Sequence, residues 1–200
     1  MNKLIRVIGT VKPRSYREID NIANNLLAKV CPKISLGEQV PIAELVDFDL
    51  RESIGYVLDV REDKDFRDNK IEAAAIFKEN GEKELIIPER VFKNANDGMP
   101  RDRFTLAHEI GHLSLNHESG IPAYGSLREN REEVEAFRDP DWQANCFAGA
   151  FLIPSFMIEM LSNKLKRRLM TSDIANYFGV SHSAAETRLE KFRKYVNGHV

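Results

Sequence analysis

Apolar residues recur at helical spacing near the start of the chain. Tyr16, Ile19, Ile22, Ala23, Leu26, Leu27 and Val30 follow Ser15-Tyr16-Arg17-Glu18, a capping box. The pattern predicts a helix from about Tyr16 to Val30, ended by Cys31-Pro32. Pro41 opens a second, short helix carrying Ile42, Leu45 and Val46. The period then changes to two: Ile54, Tyr56, Leu58 and Val60 alternate as in a half-buried strand. Ala73–Lys78 and Glu84–Ile87 read as two further strands, turning at Asn80-Gly81. Pro88 suits the end or open edge of the sheet they form. Such an edge can accept an extended peptide as an additional strand. The expected sheet is small and largely antiparallel.

Helical spacing returns after a loop with Asp97-Gly98 as its turn. Pro100 sits near the start of the next helix, which carries Phe104 to His117. Gly111 lies inside it, at a cost of roughly 1 kcal/mol against alanine, and a close approach by another helix would account for that. Residues Gly120 to Asp139 read as irregular or partly helical, and Glu129, Glu132, Glu133 and Glu135 make them acidic. Asp139-Pro140 then reads as an N-cap followed by a first-turn proline, opening a helix with Ala144, Phe147, Ala148 and Phe151 on one face. It should end near Pro154. From Leu161 onward eight Lys/Arg face three acids. Ser172–Phe178, Gly179 and a helix capped by Ser181 make that tail resemble a helix-turn-helix. The division expected is a core of residues 1–158 and a helical unit of residues 159–200, in an α+β chain.

The chemistry lies in His108-Glu109-Ile110-Gly111-His112. Residues four apart on a helix share a face, so both imidazoles can hold one zinc ion at roughly 2.0–2.1 Å. Glu109, beside the first ligand, is placed to act as general base. The bland alternative is two histidines on a helix surface. A catalytic zinc takes three protein ligands. The metzincin pattern is excluded, because Leu115 and Glu118 stand where it needs Gly and His. The third ligand is therefore expected on the next helix. Asp141 opens that helix, and Asn145 lies one turn later, able to hydrogen-bond a ligating histidine. Glu135 and, behind it, Glu132 are the other candidates. His117, Tyr124, Tyr177 and His182 are candidates for stabilising an oxyanion. For His117 a place at the helix end near the C-terminal dipole is the favoured reading.

Arg103–His112, Asp141–Ala148 and Phe151-Leu152-Ile153-Pro154 together resemble the ImmA/IrrE-type metallopeptidases. Phe178-Gly179-Val180-Ser181 and Arg188-Leu189 match that family more weakly. The resemblance implies a zincin-like core with His108, His112 and Asp141 on zinc and Glu109 as base. It also implies a regulatory protein substrate, typically a helix-turn-helix repressor. The family usually has Glu where this chain has Asp141, one methylene shorter.

The bulk numbers narrow the alternatives. A net charge of −2 points to no nucleic-acid or membrane partner. Cys31 and Cys146 are far apart and form no C-x-x-C, which fits a reducing cytoplasm. Arg6 interrupts the short apolar run at Met1–Gly9, so no signal peptide is read there. Two readings compete with the peptidase: a DNA-binding regulator using the basic tail, and a non-catalytic, antitoxin-like binding protein that keeps only the fold. Against the first, Ser181–Ala185 is poor in side chains that read base edges.

Overall fold

A computed structural model describes residues 11–66, 72–117 and 135–196. Helix α1 (Tyr16–Val30) begins as the sequence predicts: Ser15 Oγ accepts from the Glu18 N–H, and the Glu18 carboxylate accepts from the Ser15 N–H at 2.7 Å. Helix α2 (Ile42–Asp47) follows Pro41 and is succeeded at once by α3 (Asp49–Ile54). Ile54 thus closes a helix rather than opening the strand. Gly55, at φ 76°, makes the left-handed exit that releases the chain into β1 (Tyr56–Arg61).

Strands β2 (Ala74–Phe77) and β3 (Lys83–Pro88) form the hairpin expected around Asn80-Gly81, with Ala75 opposite Leu85. The sheet as a whole is mixed rather than largely antiparallel. Its order is β1-β3-β2, and β1 runs parallel to β3, Leu58 opposite Leu85. The reason is the connection between β1 and β2, residues 62–73, far longer than a hairpin loop of two to about five residues. β2 stands two places from β1, and β3 lies between them. Period-two alternation says which face of a strand is buried but not which strand lies beside it. As the central strand, β3 buries Leu85, Ile86 and Ile87.

Helix α4 (Glu89–Asn96) leads to α5 (Pro100–Leu115), which carries the histidines. Pro100 occupies its first turn, and Leu106, Ala107, Ile110 and Leu113 enter the core. Helix α6 (Pro140–Leu152) is capped by Asp139, whose carboxylate accepts from the Asp141 and Trp142 N–H groups. Gly111 is where α5 and α6 meet: a Cβ there would stand 3.1 Å from the Ala144 Cα and carbonyl oxygen. Any larger residue would push α6, and with it Asp141 and Asn145, away from the histidines.

The chain ends in α7 (Ser155–Leu165), α8 (Thr171–Phe178) and α9 (His182–Lys191). Gly179, at φ 61°, joins α8 to α9, and Ser181 Oγ accepts from Ala184 N at 3.2 Å. The Gln39 side chain fills the space a Cβ at Gly179 would need, and it also accepts from the Arg103 guanidinium. Ile174, Phe178, Ala185 and Leu189 belong to the same buried cluster as Ile19, Leu106 and Phe147. Arg188 anchors α9 inside that cluster. Its guanidinium donates to Ile153 O, Tyr16 Oη and Ser155 Oγ and pairs with Asp20 at 2.7 Å. Among the described residues no single helix is long and apolar enough to cross a membrane. The bent pair α6–α7 reaches that length only together, and most of its residues are buried.

Candidate metal centre

Helical phase on α5 brings the two imidazoles together, with His108 Nε2 and His112 Nε2 3.0 Å apart. The cap at Asp139 sets the start of α6 so that Asp141 Oδ1 lies 3.5 Å from His112 Nε2. One ligand atom from each of His108, His112 and Asp141 falls within 4.8 Å of the others. Tetrahedral bonds of roughly 2.0–2.1 Å place neighbouring donor atoms about 3.3 Å apart. The two short separations bracket that spacing, so this donor set could hold a metal ion. Glu135, by contrast, is exposed and paired with Arg138 at 3.2 Å. Glu132, Tyr124 and the stretch Met1–Gly9 lie outside the described residues.

The two histidines are held from behind. Asn145 Oδ1 lies 2.9 Å from His108 Nδ1, the contact its position one turn after Asp141 suggested. His112 is held by His117, which follows the end of α5. Asn116 adopts the left-handed conformation at φ 55°, and the His117 N–H then returns to the His112 carbonyl at 3.1 Å. That reversal folds the His117 ring behind His112, Nδ1 to Nδ1 at 3.0 Å, with its Nε2 3.1 Å from Gln143 Oε1. His117 and Gln143 are both buried. Of the other oxyanion candidates, His182 is exposed at the start of α9, and Tyr177 lies beneath the Lys164 ammonium.

Glu109 points to the sheet. Its Oε2 accepts from the Ala75 N–H of β2 at 2.8 Å. A residue in an antiparallel ladder sends its N–H and C=O to the same side. The Ala75 carbonyl therefore also faces away from β3, along the edge that no described strand covers. A cleft of about 640 Å³ lies between α5, α6 and α9, lined by Phe104, Trp142, Asn145, Ala184, Thr187 and Lys191 among others.

The peptidase M78 model, described as the IrrE N-terminal-like domain, matches residues 62–190, more than half of the chain. The chain belongs to this family. Membership implies a protein or peptide substrate, and the matched range holds His108, Glu109, His112, Asp141, all of α8 and all of α9 but its last residue. No curated protein matches the chain.

Burial dominates the electrostatics of this family member's site. It raises the Glu109 carboxyl, against the His108 charge and the Ala75 N–H, which lower it. It lowers His108, against the opposing pull of Glu109. The Cys146 thiol is pushed up to about 12, mainly by burial, so it stays protonated and acts as a small packing residue. His117 is lowered to about 4 by burial first and His112 second. In an unfolded chain it titrates near 6.5, so between these values the unfolded state binds more protons and stability rises with pH. A gap of that size is worth about 3 kcal/mol. The raised Glu109 works in the opposite direction, so a variant isolates the His117 contribution. From pH 7 to pH 4, metal-free protein is expected to lose about 3 kcal/mol more stability than metal-free His117→Asn. Urea unfolding at both pH values measures this. Equal losses in the two proteins would contradict it.

Proposed function

We propose that the protein is a zinc-dependent endopeptidase that hydrolyses a peptide bond in a regulatory protein of the cytoplasm, a helix-turn-helix repressor. The observation that carries this reading is the convergence of His108, His112 and Asp141 beside Glu109 and a strand edge that no described strand covers. The two imidazoles and the aspartate would hold the metal. Zinc in that site supplies Lewis acidity toward a water molecule and the scissile carbonyl.

The chain's own residues do the rest. An extended substrate segment adds along β2, which among the described residues pairs with β3 alone, and is held by outward-facing groups such as the Ala75 carbonyl. Its side chains enter the cleft walled by Phe104, Trp142 and Ala184. Glu109 takes the proton of the attacking water and returns it to the leaving nitrogen. Burial raises its pKa, which makes the carboxylate a stronger base.

The DNA-binding reading is weakened by the same cleft. Ser183, Ala184, Thr187 and Lys191 of α9, the helix a helix-turn-helix would insert in the groove, line its wall. The proposal is tested by incubating the zinc-loaded protein with any helix-turn-helix repressor found to be encoded beside it. Cleavage is expected, and 1,10-phenanthroline should stop it; an intact repressor with fully loaded enzyme removes that substrate. Asp141→Ala should bind zinc at least about 10-fold more weakly, measured against a competing chelator. Unchanged affinity would show that a different carboxylate is the ligand.

A further inference from the structure

His112 has two ring nitrogens, and only Nε2 lies in the ligand cluster. A neutral imidazole carries a lone pair on one nitrogen and a proton on the other. His112 is thus a competent ligand only if its proton sits on Nδ1. That nitrogen is 3.0 Å from His117 Nδ1, a hydrogen bond in which one ring donates and the other accepts. Geometry between the two rings alone does not say which.

Gln143 decides it. Its Nε2 donates to Lys12 O at 2.8 Å and to Phe137 O at 2.7 Å. Both partners are carbonyls that can only accept, so the amide nitrogen must face them and Oε1 must face the other way. Oε1 then accepts from Arg14 Nη1 at 3.1 Å and from His117 Nε2 at 3.1 Å. An amide oxygen has no hydrogen to give, so His117 carries its proton on Nε2. A second proton on His117 would add a cation to a buried site that already holds the Arg14 guanidinium. With one proton, on Nε2, His117 has its lone pair on Nδ1, and His112 Nδ1 donates into it.

We infer that His117, oriented by Gln143, is a positioning residue that fixes the His112 tautomer and turns its Nε2 lone pair toward the metal. The two histidines of the motif are then set by different devices. Asn145 accepts from His108 directly, whereas His112 is set through a second imidazole whose own orientation comes from a fully buried amide. Partners of this kind typically contribute 10- to about 100-fold in metal affinity. The inference rests on His112 being a ligand, and its test separates the two.

The first measurement uses the unaltered chain. Long-range ¹H–¹⁵N correlation of ¹⁵N-histidine-labelled, zinc-loaded protein reads each tautomer. His117 is expected as the Nε2–H form and His112 as the Nδ1–H form; a proton on His117 Nδ1 overturns the inference. The second measurement compares two variants. His117→Phe keeps a ring and removes the acceptor, whereas His117→Asn retains an oxygen near the Nδ1 position. Zinc affinity of His117→Phe is expected to fall 10- to about 100-fold in chelator competition, with an altered cobalt(II) d–d spectrum. His117→Asn should recover most of the affinity and the wild-type spectrum. Equal affinity and identical cobalt spectra for wild type and His117→Phe overturn the inference while leaving His112 as ligand. A wild-type chain that binds neither zinc nor cobalt overturns the ligand reading itself.

Discussion

Glu109→Gln is expected to slow peptide-bond hydrolysis by roughly 10²- to 10⁴-fold, the usual contribution of a general base, while zinc stays bound. Glutamine matches the volume of glutamate and can still accept from the Ala75 N–H through its amide oxygen, so β2 keeps its place against α5. What it cannot do is take a proton from water. His108 and His112 are untouched, so zinc content measured by emission spectrometry should equal that of the wild type. The substrate protein should appear uncleaved under conditions where wild type converts it fully. Wild-type turnover by this variant would sink the mechanism, and loss of zinc would make Glu109 a structural support for the site instead.

The largest effect on stability should come from Arg188→Met. Arg188 and Asp20 are both almost wholly buried, and the pair is surrounded by Tyr16, Ser155 and the Ile153 carbonyl. Removing one partner of a buried pair leaves an uncompensated charge and costs about 3–5 kcal/mol. Methionine fills much of the guanidinium's space, so the loss is electrostatic more than steric. Removing both partners should cost less than removing one, because no charge is then stranded. Urea unfolding of Arg188→Met and of Asp20→Ala/Arg188→Met tests this. If the double variant is less stable than Arg188→Met, the pair is not coupled in this way.

Local signals made most of the candidate site readable. His108, Glu109 and His112 are fixed by the pitch of one helix, and Asp141 and Asn145 by the pitch of the next. Proline and aspartate at Asp139-Pro140 set where that second helix starts, and hence which of its residues meet the histidines. His117 and Gln143 were not readable in the same way. They meet only because Asn116 reverses the chain after α5, and nothing in the spacing of a histidine five residues beyond His112 distinguishes a helix-end residue from a buried partner. The parallel pairing of β1 with β3 was hidden for a similar reason, since strand period carries no information about neighbours. Helices α4 and α7 were hidden by brevity and by the prolines at their starts, which also suit loops.

The contact between Arg188 and Tyr16 joins residues 172 positions apart. A nascent chain leaving the ribosome can form α1 early, since its cap and apolar face are local. It cannot complete the buried side of α1 until residue 188 has been synthesised. Contacts of such high sequence separation close late, because loop-closure entropy must be overcome first. Vectorial synthesis thus keeps the core open until nearly all of these residues exist.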